Sequence, residues 1–430
     1  MTRHGNHFHT CRTILDARPD SDRLSDARLQ ERLTTWRRDT PGCGSLIHLN
    51  NAGAALMPRP VVAAIEAYLE KELTLGGYEA AASHSVQIRH AYDLLAGLIN
   101  ATRRNIAIVE NATVGVAQAL STWDFKPGDV IVTSRADYPS SQLTYLSLAR
   151  RLGLVVLRAE DLPEGGVDPQ SIAELVRHPR CRLVSLSWVP TNSGLVQPAE
   201  EIGRVCEAAG VPYLLDACQA IGQLPVDVAA LRCDYLTASA RKFLRGPRGI
   251  GFLYVSDRAL KRGSFPLHLD MRGADWTDPD AFQLAPDARR FENWEFAYAL
   301  VAGMGAAVTY AQGVGDVGLE RGTELAAELR ERLRGVPGVR VLDRGRRLCS
   351  IVTVELRGWD AEPAMFALRA RGINTGASLR TDGVIDMDAK GAASALRMSP
   401  HYYNTSTETA TMVSAIQDLL HSTPPSRETR

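Results

Sequence analysis

A chain of 430 residues, 45% apolar and 23% charged, is long enough for two or three cores and has the composition of a soluble globular protein. Its 49 basic and 49 acidic side chains cancel, which removes the electrostatic case for a nucleic-acid or anionic-membrane partner. No apolar run reaches the ~18 residues of a membrane span. The start, "MTRHGNHFHTCRTILDARPDSDRL", lacks the apolar centre of a signal peptide. The cysteines are odd in number and without CxxC spacing, which points to reduced thiols in a cytoplasm, not to disulfides or a zinc site.

Taken in chain order, "HGNHFH" (4–9) reads as a polar tail, not a metal site, because it precedes any folded core. "SDARLQERLTTW" reads as a helix. So does "PRPVVAAIEAYLEKELTL" (58–75), with proline near its first turn, and "IRHAYDLLAGLIN" (88–100). An alternation then begins. "NIAIVE" (105–110), "DVIVTS" (129–134), "LVVLRA" (154–159), "CRLVSLSWV" (181–189) and "VPYLLDA" (211–217) are apolar enough for strands buried on both faces. Helices fall between them at 113–123, 141–153 and 199–210, the last closed by Gly210. The alternation predicts an α/β fold, a mainly parallel sheet with helices on both sides. "CDYLT" and "GIGFLYVS" are two further strands flanking Lys242. From 264 to 292 the pattern lapses into a long polar loop. Two helices, the segments "CSIVTVEL" (349–356), "EPAMFALRARG" (362–372) and "ALRMSPHYYN" (395–404), and a last helix "TETATMVSAIQDLLHS" predict a smaller α/β domain. The expected organisation is an N-terminal segment and loop (1–58) packing with the small domain, a large domain (59–300), a small C-terminal domain (301–422) and a frayed tail (423–430).

Ligands of open parallel sheets bind outside the carboxyl ends of the strands. Those ends deliver Asn111-Ala112-Thr113 opening a helix, Tyr138, Asn192, Asp216 with Gln219, and Ser239 with Arg241 and Lys242. Each has an ordinary alternative: a helix cap, a packing aromatic, a loop carboxylate, a surface lysine. Together they make an anion cradle, a planar aromatic, a carboxylate and an amine. Pyridoxal 5'-phosphate uses all four. Its aldehyde forms a Schiff base with lysine, its ring nitrogen needs an acidic partner, and its phosphate needs donors.

The same residues carry a resemblance. "LLDACQA" followed by "ASARKFLRGPRGIGFLYV" resembles the class-V aminotransferase family of fold-type I pyridoxal-phosphate enzymes, over roughly residues 47–420. The family pattern is Asp-x-x-Gln, then Ser-x-His-Lys, then a Gly-Pro-x-Gly-x-Gly turn. By position the resemblance implies Lys242 as the Schiff-base lysine and Asp216 beside the pyridine nitrogen. It implies Gln219 and Asn192 near the ring hydroxyl, and Tyr138 stacked on the ring. Ala112, Thr113 and Ser239 fall at the phosphate, with Arg241 where many members have histidine. It further implies Asn51 and Gly53, in "HLNNAGAALMPRP", close to substrate, and Arg397, in "LRMSPHYYNT", as the clamp of the substrate carboxylate. "GGYEAA" (76–81) and "RFENWEF" (290–296) resemble segments near the interface of a homodimer. "NWEF" lacks the threonine that in many members reaches the partner's cofactor phosphate.

The resemblance implies an enzyme acting at Cα of a small amino-acid substrate. There is no cysteine between Gly372 and Arg397, which argues against a persulfide-forming desulfurase. "GGYEAA", "RKFLRGPRGIG" and "SPHYYNT" resemble the carbon–sulfur lyase of ergothioneine biosynthesis and the lincosamide-pathway enzymes on S-conjugated cysteine. The expected reaction is therefore β-elimination of an S-substituted cysteine. Oxidative deamination coupled to decarboxylation, transamination and epimerisation share its first step. "GPRGIG" has no following Lys-Ser/Thr and is no nucleotide P-loop.

Overall fold

The computed structural model describes residues 26–423. The histidines at 4–9, Cys11 and residues 424–430 lie outside them. The apolar runs form a seven-stranded sheet in the order Ile106–Val109, Gly251–Val255, Tyr235–Ser239, Tyr213–Asp216, Cys181–Ser187, Val130–Thr133, Val155–Arg158. Only Gly251–Val255 runs antiparallel to its neighbours. The inner strands are apolar at successive positions because both faces are covered; Val130–Thr133 and Tyr213–Asp216 are buried throughout, whereas the edge strand Val155–Arg158 has no fully buried residue. This confirms the expected α/β class.

Helices Arg59–Leu75 and Ser85–Leu98 pack against the long helix Tyr298–Arg334. That helix is interrupted at Gly315, whose φ of 63° belongs to the left-handed region that glycine enters without a Cβ clash. Its later half leads into a four-stranded antiparallel sheet, ordered Val339–Val341, Val352–Leu356, Ser394–Met398, Gly376–Leu379. Val352, Val354, Leu396 and Met398 form a second core with Leu368 and Ile416. The N-terminal segment joins this sheet's side of the molecule. Ile47–His48 pairs in parallel with Ile373–Asn374, and Asn50 bridges to Ser399.

One expectation is corrected. The stretch 264–292 is not a structureless loop. It holds a hairpin, Ala274–Asp278 with Ala281–Leu284, and a short 3-10 turn at Ala288–Phe291. The hairpin strands are largely exposed, so they carry no buried alternation for a sequence reading to find.

Candidate functional site

The carboxyl ends of the parallel strands open on a cavity of about 490 Å³. Tyr235–Ser239 ends in a tight turn that carries Ser239, Arg241 and Lys242 to its wall. Tyr213–Asp216 ends in Asp216, whose Oδ1 accepts the Cys218 backbone N–H at 2.8 Å. Helix Ala112–Leu120 points its N-terminus into the cavity, capped by Asn111 Oδ1 on the Val114 N–H at 3.0 Å. Thr113 lies in that first turn, and the Ala112 N–H donates to Ser239 Oγ at 3.2 Å. A helix start with hydroxyls beside it is suited to a phosphate.

Tyr138 faces this cradle, its ring centre 5.6 Å from Lys242 Nζ. The ring's place is set by buried Asp137. That carboxylate accepts the Tyr138 N–H at 2.8 Å, the Ser187 N–H at 3.0 Å and Thr133 Oγ1 at 2.8 Å. It thereby ties together the ends of two parallel strands. Lys242 is buried, and burial pushes its amine below the ordinary lysine range; Cys218 and Asp216 pull upward, while Arg241 and Arg397 add to the fall. A buried amine of lowered basicity is a competent nucleophile and proton acceptor.

Arg397 does not line the main cavity, but it is buried close enough to Lys242, Arg241 and Tyr138 to act on them electrostatically. Its register opposite Thr353 and Gly376 keeps Leu396 and Met398 in the small core. Nη1 donates to the Thr191 carbonyl at 3.2 Å and Nη2 to Asn50 Oδ1 at 3.4 Å, while buried Nε has no partner. Burial lowers its pKa to about 10, with Asp382 pulling the other way, so the guanidinium stays charged at neutral pH. A charged fork held by neutral groups, with one donor unmatched, is set to take a carboxylate.

The remaining expected residues divide. Gly53 comes to the site through its carbonyl, which accepts from Arg241 Nη1. Gln219 and Asn192 are buried and do not line the cavity. Gln219 Nε2 donates to the Ala52 carbonyl at 3.1 Å, Asn192 Nδ2 donates to the Asp382 carbonyl, and each leaves its amide oxygen without a partner. Asn51 is corrected. It is fully buried, donates to the Ser399 and His48 carbonyls at 2.7 and 3.3 Å, and accepts from Tyr403 Oη. Asn50, its neighbour, is the asparagine that meets Arg397. Sequence reading also passed over Cys218, which lines the cavity with its thiol pushed up to about 12 by burial.

The residues present fit pyridoxal phosphate: a buried amine beside an aromatic ring, a carboxylate at the cavity wall, a helix start with hydroxyls and an arginine, and orphaned amide oxygens. The family described as aminotransferase class-V matches residues 47–412. A probable cysteine desulfurase of Methanothermobacter thermautotrophicus is 26% identical over 393 residues, 89% of this chain and 97% of the relative. Among solved structures, the apo cysteine desulfurase of Thermococcus onnurineus NA1 superposes with a TM-score of 0.82 at 24% identity, over 90% of this chain and 98% of that one. A cystine C–S lyase in complex with its product cysteine persulfide gives 0.77 at 23%, over 88% and 99%.

Proposed function

The chain belongs to the class-V aminotransferase family and is a pyridoxal-phosphate-dependent enzyme; from that premise we propose that it cleaves the C–S bond of an S-substituted cysteine or its sulfoxide by β-elimination. The observation that carries the choice is the wall beside Arg397. The segment from Gly376 to Asp382 approaches Arg397 and Asn192 without a cysteine thiol. Cys218 is the cysteine of the cavity lining, and its thiol, pushed up to about 12 and donating to Ser239 Oγ at 3.6 Å, is no ready thiolate. Without a thiolate to capture sulfur, the sulfur leaves with its substituent.

In this reading Lys242 holds the cofactor, Asp216 faces the ring nitrogen, and Tyr138 stacks on the ring. Ala112, Thr113, Ser239 and Arg241 take the phosphate. When bound, the cofactor supplies the carbonyl that condenses with the substrate amine and the ring that takes up the Cα electron pair. Arg397 holds the α-carboxylate and so fixes which Cα bond points at the amine. Lys242 Nζ accepts the Cα proton. The Cβ–S bond then breaks, and the electron pair departs with sulfur as a thiolate or sulfenate. After hydrolysis the carbon skeleton leaves as pyruvate and the nitrogen as ammonia. The substrate is a small molecule, the assembly a homodimer, and the compartment the cytoplasm, a setting supported by the six free thiols within residues 26–423.

Incubating the holoenzyme with S-methyl-L-cysteine and its sulfoxide, followed by mass spectrometry, tests the reading. Pyruvate and ammonia in equal amounts are expected. An aldehyde with carbon dioxide, alanine with an enzyme-bound methyl mixed disulfide, or a racemised substrate would each replace elimination with another reaction.

A further inference from the structure

Three residues beyond Lys242, Arg245 is 1% exposed, the largest fully buried side chain of the described residues. No carboxylate pairs with it among those residues; what surrounds its charge is aromatic and neutral. Its guanidinium carbon lies 4.4, 5.2 and 5.6 Å from the ring centres of Tyr403, Tyr402 and Tyr310. Nη1 donates to Tyr402 Oη at 2.7 Å, Nη2 to Thr40 Oγ1, and Nε to the Leu56 carbonyl at 2.8 Å. Its own N–H donates to the Lys242 carbonyl at 2.8 Å, from a backbone φ of 62° that an L-residue adopts only where surroundings enforce it.

Those partners lie on the segments that build the carboxylate clamp. Tyr402 and Tyr403 follow the strand that ends just after Arg397. Leu56 closes the loop that begins at Asn50, the residue touching Arg397 Nη2. Arg245 thus has one hand on the turn that carries the amine and two on the segments that carry the clamp. Resting on the reading of Lys242 and Arg397 above, we propose that Arg245 is a positioning residue that sets the carboxylate clamp against the amine, so that it governs recognition of the substrate α-carboxylate without touching substrate.

The test is a titration of wild-type and Arg245→Lys holoenzyme with S-methyl-L-cysteine and with 2-(methylthio)ethylamine, which lacks the carboxylate, following the cofactor absorbance. Arg245→Lys is expected to weaken the amino acid about tenfold or more and the amine less than about twofold. A merely structural role would weaken both together or neither, and either result overturns the proposal. Arg397→Ala in the same titration separates two failures. Selectivity lost there yet intact in Arg245→Lys overturns the Arg245 role alone. Selectivity intact in Arg397→Ala overturns the clamp reading and this inference with it. Should Arg245→Lys fail to fold, Tyr402→Phe removes only one of its bonds and is expected to lower the selectivity ratio in the same direction; an unchanged ratio overturns the proposal.

Discussion

Lys242 and Cys218 occupy one cavity and are both buried, yet burial acts on them in opposite functional senses. Desolvation disfavours the charged form of each. For lysine the disfavoured form is the inert ammonium, so burial pushes the amine toward the reactive state. For cysteine the disfavoured form is the reactive thiolate, so burial silences it. Lys242→Ala is therefore expected to lose covalent cofactor, read as absence of label on peptide 242 after borohydride reduction, and to lose at least about 10²–10⁴ in turnover, the usual contribution of a positioned base. Cys218→Ala is expected to keep turnover within about threefold of wild type. A Cys218→Ala enzyme that binds cofactor normally but no longer cleaves C–S bonds would make that thiol a participant and return the mechanism to sulfur capture.

The element that organises the site is the turn after Tyr235–Ser239, and it is clasped by the segment 399–404. His401 Nε2 donates to the Phe243 carbonyl at 2.9 Å, and its Nδ1 accepts the Tyr402 N–H at 2.9 Å. Both ring nitrogens are thus occupied by a neutral imidazole. Burial first, and then the charge of Arg245, lower its pKa to about 3. The folded state therefore binds fewer protons than the unfolded chain between that value and about 6.5, so this contribution is complete above pH 6.5 and is lost as pH falls. Between pH 7.5 and 5.5 the wild type is expected to lose about 1.4 kcal/mol more than His401→Gln, one pH unit of proton linkage. Urea unfolding at the two pH values measures it, and equal losses would remove His401 from the acid response. This clasp also marks where the sequence stops being legible. Asp216, Ser239, Arg241 and Lys242 could be found because each stands at the end of an apolar strand, and local chemistry alone puts them on one edge. Asn50 and Asn51 are chemically identical, and only the turn decides which faces Arg397. Arg245 reads as a surface charge until Tyr310, Tyr402 and Tyr403 are brought around it from distant parts of the chain. The hairpin at 274–284 was missed because its side chains face outward and carry no core pattern.

At the scale of the whole molecule, one face is left apolar. Leu69, Leu73 and Leu75 of the Arg59–Leu75 helix are 49%, 80% and 51% exposed, and Tyr78, Val86 and Trp294 beside them 78%, 64% and 49%. Tyr78 and Trp294 belong to the segments 76–81 and 290–296, and they border a hollow of about 630 Å³ that also takes in Arg89, Arg272 and Phe296. Isolated exposed leucines need no explanation, but six large apolar side chains this exposed, Leu69 and Leu73 one helical turn apart, are what an interface leaves when its partner is removed. The hollow's walls are themselves rigid: Arg272 lies 3.7 Å above the Phe296 ring and pairs at 2.6 Å with buried Glu292, whose other oxygen accepts from Tyr92 Oη at 2.7 Å. A preformed apolar surface with a fixed cation costs little ordering when a second copy docks. The expected solution species is a dimer of the 46.8 kDa chain, measured by light scattering on the eluting peak. Leu73→Asp with Tyr78→Glu should each cost about 2 kcal/mol or more of association, the scale of an interface hot spot, and together raise the dimer dissociation constant by about three orders of magnitude. The double variant is then a monomer at micromolar concentration with its far-ultraviolet dichroism unchanged. A wild type that elutes as a monomer, or a double variant that still dimerises, would mean that this face meets something other than a second copy of the chain.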